Sequence, residues 1–276
     1  MVRAAPSRRG ELIAYFTLTL ILSWAIEIPL ALSAQGLIYR SPPMALHYPA
    51  SFGPLLAALL VALFLRGPSA IGRLLAGLAR WRIPRPYYAL AVAAPIVIFA
   101  GIVLFTWLVR GTPPDLALLG EADYLGSLGV LPVLALWMIA FGLGEEFGWR
   151  GFALRALAGH ALGPGGLICA GRILGVWPRP AIFYRDTYLA MGWRIIPMLI
   201  TVAAVGSVVY TSLFNGTRGS LLVIVLFHGL FDFFSVWPAG LVGPGMVMTL
   251  LMVFWAVRVN KVYGAQHLAP VDKTVV

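Results

Sequence analysis

The stretch that decides the class of this protein is the apolar run at residues 87–109, YYALAVAAPIVIFAGIVLFTWLV, which contains no charged residue. As a helix, this run is long enough to cross about 30 Å of hydrocarbon. Similar runs recur near residues 12–34, 50–65, 127–146, 163–183, 195–214, 219–237 and 240–258. The sequence therefore predicts an all-α polytopic transmembrane bundle of about eight spans. Seven is the alternative count, because the fifth run contains Arg172 and Arg179.

The overall composition agrees with a membrane protein. Of the 276 residues, 61% are hydrophobic and 11% are charged, whereas soluble domains have roughly 45–50% and about 25%. A soluble globule and a disordered chain are both excluded. The apolar excess extends along the whole chain, so we predict a single integral membrane domain over residues 1–276. The net charge of +10 is spread over short loops, which does not indicate a nucleic-acid partner.

The distribution of basic residues predicts an orientation. Most Lys and Arg residues fall in segments that share one side if both termini are cytoplasmic, as the positive-inside rule requires. Between the second and third runs, residues 71–82 place Leu74, Leu75 and Leu78 beside several arginines. This pattern predicts an interfacial amphipathic helix.

Acidic residues within the apolar runs are the main candidates for function. Four of them lie in or at the ends of predicted spans: Glu27, Glu145, Glu146 and Asp232. An ionised group at the centre of a bilayer costs about 2.5–3.5 kcal/mol on insertion scales, so such residues usually face a bundle interior or a wet cavity. For Glu27, which belongs to no recognised motif, we expect a buried pair with an arginine or a hydroxyl group.

The first motif is Glu145-Glu146-x-x-x-Arg150 at the end of the fourth run. Adjacent helical side chains project about 100° apart, so the two carboxylates cannot share one role. Arg150 follows Glu146 at the favourable i,i+4 spacing for an ion pair. This leaves Glu145 as a candidate general base for a water molecule. The alternative is a charge cluster at a helix end, with Arg150 extending to the membrane interface.

The second motif is His228-x-x-x-Asp232, which follows the turn Asn215-Gly-Thr-Arg-Gly-Ser in the chain. Its two side chains lie on one face of an otherwise apolar helix. They can bind a metal, orient a water molecule or hydrogen-bond each other.

Together, these two motifs resemble the CPBP intramembrane proteases, which include type II CAAX prenyl endopeptidases, bacteriocin-processing proteins and Abi-domain relatives. The similarity covers about residues 125–238. It implies a helical membrane endopeptidase in which Glu145 activates the attacking water, supported by Glu146 and Arg150. It also implies that His228 helps to bind this water and that Asp232 lies near the substrate carbonyl oxygen. The family is described both as metal-dependent and as metal-free, so the cofactor stays open between a divalent metal such as zinc and none.

One position departs from the family pattern. The family has a histidine near the end of the fifth span, where this chain has Pro178 in Trp177-Pro178-Arg179. If this histidine stabilises the oxyanion in the family, its loss typically costs about 10²–10³ in rate. If it is a metal ligand, its loss removes one of the three protein ligands that a catalytic zinc usually needs. Arg179, next to Pro178, is a candidate for a substitute positive charge toward the oxyanion. The more ordinary role of this Pro- and Arg-containing segment is to break and cap a helix.

Three functions are therefore considered. The leading hypothesis is an endopeptidase in a bacterial plasma membrane that cleaves a peptide or a membrane-associated protein tail. The second is a non-catalytic family member that binds a peptide or a partner membrane protein. The third is a transporter in which Glu27, Glu145 and Asp232 relay ions. The sequence does not predict an oligomeric state.

Overall fold

The computed structural model describes residues 8–154 and 176–270. Its α-helices are Arg8–Ala34, His47–Ala50, Gly53–Val61, Pro68–Leu75, Arg85–Tyr88, Ala94–Arg110, Val130–Trp137, Gly144–Gly148, Asp186–Met191, Ile195–Gly216, Leu221–Ser235 and Pro244–His267. Wider π-helical turns occur at Ala62–Arg66, Ala89–Ala93, Met138–Leu143 and Trp149–Ala153. Short 3₁₀ turns occur at Met44–Leu46, Ala117–Gly120, Arg179–Phe183 and Gly192–Arg194.

Strand structure in the described residues is confined to one small hairpin. Glu121–Ala122 and Gly126–Ser127 pair in an antiparallel register, with Glu121 opposite Ser127. This hairpin lies in the loop before the fourth span. The predicted all-α membrane bundle is confirmed.

Six helical stretches of the described residues are long and apolar enough to cross a membrane. They are Arg9–Ala34, Met44–Arg66, Arg85–Arg110, Val130–Ala153, Asp186–Gly216 and Pro244–Gly264. Large apolar side chains on their outer faces are exposed, such as Leu108 at 74% and Phe254 at 68%. These faces suit contact with lipid chains, because apolar side chains there need no polar partner.

Two predicted spans differ from the observed helices. The run at 219–237 forms a shorter apolar helix, Leu221–Ser235, of 15 residues. Most of the predicted fifth span, 163–183, lies outside the described residues. The described part of that span is not one regular helix but contains the short 3₁₀ turn Arg179–Phe183.

The predicted amphipathic helix at residues 71–82 is correct only in part. The observed helix is Pro68–Leu75, with Leu74 buried and Leu75 49% exposed. Beyond it the chain turns to contact the loop before the Leu221–Ser235 helix, where Leu221 N donates to the Gly77 carbonyl oxygen at 2.9 Å. After Leu75 the chain continues only as turns, in which Gly77 N donates to the Leu74 carbonyl oxygen and Leu78 N to that of Leu75.

Small residues bring the fourth span close to its neighbours. A Cβ atom built on Gly148 would lie 2.5 Å from the Pro54 carbonyl carbon, and one on Gly144 would lie 3.0 Å from the Ser51 oxygen. A Cβ atom on Gly142 would lie 2.8 Å from the Val225 oxygen. Glycines allow such close helix contacts in membrane proteins. The fourth span therefore packs between the second span and the Leu221–Ser235 helix.

Candidate active site

Glu145 and Glu146 lie on the short α-helix Gly144–Gly148, between the π-helical turns Met138–Leu143 and Trp149–Ala153. Irregular turns of this kind often occur at functional sites, because they change the direction in which nearby side chains point. Glu146 is fully buried and Glu145 is partly buried.

Glu146 forms the ion pair that its spacing predicted. Arg150 Nη1 donates to both carboxylate oxygens of Glu146, at 2.7 and 2.9 Å. The guanidinium also lies over the Tyr210 ring, 4.7 Å from the ring centre. Arg150 is itself only 5% exposed. It is therefore a buried counter-ion and does not extend to the membrane interface.

His228 connects the two motifs. Its Nδ1 lies 2.8 Å from Glu146 Oε1, and its Nε2 lies 3.2 Å from Asp232 Oδ2. The mutual contact of His228 and Asp232 was one of the alternatives that the i,i+4 spacing left open. The second contact, to Glu146, brings together residues that are 82 positions apart in the chain. A continuous polar chain thus runs from Arg150 through Glu146 and His228 to Asp232.

Glu145 lies beside this chain and faces a cavity of about 230 Å³. Glu146, Arg150, His228 and Asp232 line the same cavity. Asp232 has a quarter of its side chain exposed. Among the described residues, Glu145 makes no side-chain hydrogen bond. The structure therefore brings all five predicted site residues to one cavity, with the Glu145 carboxyl group available to a water molecule or a substrate.

The segment around Pro178 forms another part of the cavity wall. Pro178 lines the cavity and Trp177 is buried there. Trp177 Nε1 donates to Ser23 Oγ at 2.8 Å, and Trp24 Nε1 donates to the Trp177 carbonyl oxygen at 2.9 Å. These bonds fix the segment against the first span, so Pro178 has a defined place beside the candidate site.

Arg179 does not place its positive charge at the cavity. Its side chain is exposed, and it is not among the residues that line the cavity. Arg185 lines the cavity instead, and its Nη2 donates to Asp123 Oδ2 at 3.0 Å. The 3₁₀ turn Arg179–Phe183 begins at the first of these arginines and ends two residues before the second, and of the two only Arg185 lines the cavity.

Glu27, one of the acidic residues expected to face a bundle interior or a wet cavity, also lines the cavity, and so does His47, which sequence reasoning did not single out. Glu27 Oε1 lies 3.5 Å from the Tyr184 hydroxyl group, so the expected buried pair with a hydroxyl is confirmed. His47 was missed because the second span was expected to begin near residue 50, whereas the helical stretch begins at Met44. The sequence feature that could have identified His47 is its position directly before the apolar run that begins near residue 50.

The arrangement of donor atoms does not fit a metal site. Both ring nitrogens of His228 contact carboxylates, and Glu146 is shared by Arg150 and His228. No group of three or more His, Cys, Asp and Glu side chains suited to a metal ion occurs in residues 8–154 and 176–270. A catalytic zinc usually needs three protein ligands, and these side chains, already paired with one another, do not provide such a set.

The fold and this site define a class: a helical membrane protein with a buried carboxylate and imidazole cluster on an internal cavity. Residues 127–234 match the family described as Type II CAAX prenyl endopeptidase Rce1-like, and this match supports the CPBP family membership that the motifs predict. The general kind of function is therefore that of an intramembrane protease. No curated protein sequence matches the chain.

Proposed function

We propose that the protein is an intramembrane endopeptidase in which Glu145 activates a water molecule for attack on a peptide carbonyl group. The observation that carries this proposal is that Glu145 lines one cavity with the Arg150–Glu146–His228–Asp232 chain. The substrate is a peptide or the tail of a membrane-associated protein. The protein acts in a bacterial plasma membrane, with both termini in the cytoplasm.

The proposed reaction begins at Glu145. Its carboxylate takes a proton from water while the water oxygen bonds to the carbonyl carbon, which gives a tetrahedral intermediate. The carbon–nitrogen bond then breaks, and Glu145 returns the proton to the departing amine. The products are a new carboxylate and a new amino terminus.

Glu146 and Arg150 orient the other site residues and do not contact the substrate. Arg150 compensates the charge of the fully buried Glu146, and Glu146 in turn fixes the orientation of the His228 ring. His228 reaches a water molecule directly only when its 3.2 Å contact with Asp232 opens. With that contact closed, Asp232 shares the water with Glu145 and holds it near the substrate carbonyl group.

A non-catalytic binding role is the second candidate, and the position of Pro178 favours it. Proline has neither a side-chain donor nor a backbone N–H, and Pro178 lines the cavity where the family has a histidine. In this case the cavity would hold a peptide without cleaving it.

Reconstituted protein distinguishes the two candidates. We expect wild-type protein in liposomes to cleave members of a peptide library and to place one oxygen atom from heavy-oxygen water in each new carboxylate, as mass spectrometry would show. Glu145→Gln protein prepared in the same way controls for a contaminating protease. Peptides that bind but stay intact would contradict the endopeptidase proposal and support the binding role.

A further inference from the structure

A second polar cluster faces the cavity from the side of the first two spans. It contains His47 on the second span, Glu27 on the first span, and Tyr184 and Arg185 after the Pro178 segment. None of these residues belongs to the two motifs that define the candidate active site. His47, Glu27 and Arg185 line the cavity that Glu145 faces.

The His47 imidazole is held firmly on one side and has no partner on the other. Its Nδ1 lies 2.7 Å from the Tyr184 hydroxyl oxygen. Its Nε2 is buried and makes no hydrogen bond within the described residues. His47 is 7% exposed. Buried polar atoms in proteins nearly always have partners, so a free ring nitrogen beside a cavity calls for a ligand.

The contacts of Tyr184 indicate which ring nitrogen of His47 carries the proton. Burial, together with the nearby Glu27 carboxyl group, raises the pKa of the Tyr184 hydroxyl, so this group keeps its proton. The hydroxyl lies 2.7 Å from His47 Nδ1 but 3.5 Å from Glu27 Oε1. Tyr184 has one proton for these two contacts, and when that proton lies on the shorter one, Nδ1 is the acceptor. Neutral imidazole then carries its proton on Nε2, the atom without a partner.

Packing places His47 near the helix that carries Glu145. The His47 and Phe141 rings lie 5.8 Å apart, and Phe141 is four residues before Glu145. One turn after His47, Ser51 Oγ donates to the Ala140 carbonyl oxygen at 2.7 Å. Gly144 allows the Ser51 backbone to approach the same helix closely. These contacts place His47 against Phe141, four residues before the proposed general base on the same helical stretch.

We propose that Tyr184 donates to His47 Nδ1, and that His47 Nε2–H donates a hydrogen bond to the substrate carbonyl oxygen and stabilises its negative charge in the tetrahedral intermediate. This inference rests on the proposed endopeptidase function. His47 thus supplies, from the second span, a donor that Pro178 cannot provide. Tyr184 is a positioning residue, because it acts on the substrate only through the imidazole.

The test measures kcat and KM separately for the reconstituted full chain. We expect His47→Ala to lower kcat by about 10²–10³-fold with KM nearly unchanged. His47→Gln, which offers an amide N–H donor, should recover part of the loss. Tyr184→Phe should lower kcat by about 10-fold or more, as loss of an orienting partner does elsewhere. The control is Thr201→Ala, which alters an exposed side chain on another span. It should leave both kcat and KM unchanged.

Binding of an uncleavable phosphinic peptide gives a second readout, because its tetrahedral centre resembles the intermediate. If His47 acts on the intermediate, His47→Ala should weaken this binding by about the factor by which kcat/KM falls. Glu145-dependent cleavage with unchanged kcat in folded His47→Ala and His47→Gln proteins would overturn the role of His47 alone. The role of His47 would also be overturned if His47→Ala weakened the binding of substrate and of phosphinic peptide by the same factor, because His47 would then not act preferentially on the intermediate. Absence of Glu145-dependent cleavage by the wild type would instead refute the endopeptidase function and this inference with it.

Discussion

Replacing Glu145 by glutamine should lower kcat by about 10²–10⁴-fold, the usual contribution of a general base. Glutamine keeps the size of the side chain but cannot accept the proton from water. Glu145 makes no side-chain hydrogen bond in the described part of the chain and is only partly buried, so the melting temperature should change little. Rates measured at saturating peptide, together with thermal unfolding in detergent, check both expectations.

The control for Glu145 is Glu121→Gln. Glu121 is an exposed carboxylate in the small hairpin before the fourth span, and its replacement should leave the rate unchanged. A Glu145→Gln protein that stays folded and cleaves at the wild-type rate would show that another group activates the water.

Replacing Arg150 by methionine should destabilise the protein by about 3–5 kcal/mol, the usual cost of removing one partner of a buried ion pair. The reason is that Glu146 is fully buried and would lose the donor that contacts both of its carboxylate oxygens. The measurement is the free energy of unfolding in mixed micelles.

Two further variants make this prediction specific. Glu146→Gln combined with Arg150→Met removes the uncompensated charge and should recover much of the lost stability. Arg73→Met is the control, because Arg73 is exposed and its one side-chain hydrogen bond within the described residues is to the exposed Ser69, at 3.3 Å. Its cost should therefore stay within about 0.5 kcal/mol. An Arg150→Met protein as stable as the Arg73→Met protein would contradict the role of Arg150 as a buried counter-ion.

The sequence predicts the bundle and the first contacts of the candidate site well, because these depend on local spacing. Long apolar runs identify the spans, and the i,i+4 spacing predicts the pair of Glu146 and Arg150 that the structure contains. The same spacing places His228 and Asp232 on one helix face, and they do contact each other. Their common cavity with Glu145 was expected only from the resemblance and from the need of buried charges for partners.

The remainder of the cavity depends on packing between distant segments, which periodicity does not encode. His47, Glu27 and Tyr184 meet because the first span lies against both the second span and the Pro178 segment. Each of these residues lies outside the two motifs. The contact of Glu146 with His228 likewise requires the close approach that Gly142 allows to the Leu221–Ser235 helix.

Thiol cross-linking measures most directly whether the two motifs face one water-filled space. In a chain with Cys169, its only cysteine, replaced by alanine, Glu145→Cys and Asp232→Cys would be combined and treated with a short, water-soluble bifunctional reagent. We expect efficient cross-linking within one molecule, whereas Asp232→Cys paired with Ile139→Cys, on the outer face at 53% exposure, should give none. If the first two thiols each react singly but do not cross-link, the motifs do not share a cavity, and the proposed site is wrong.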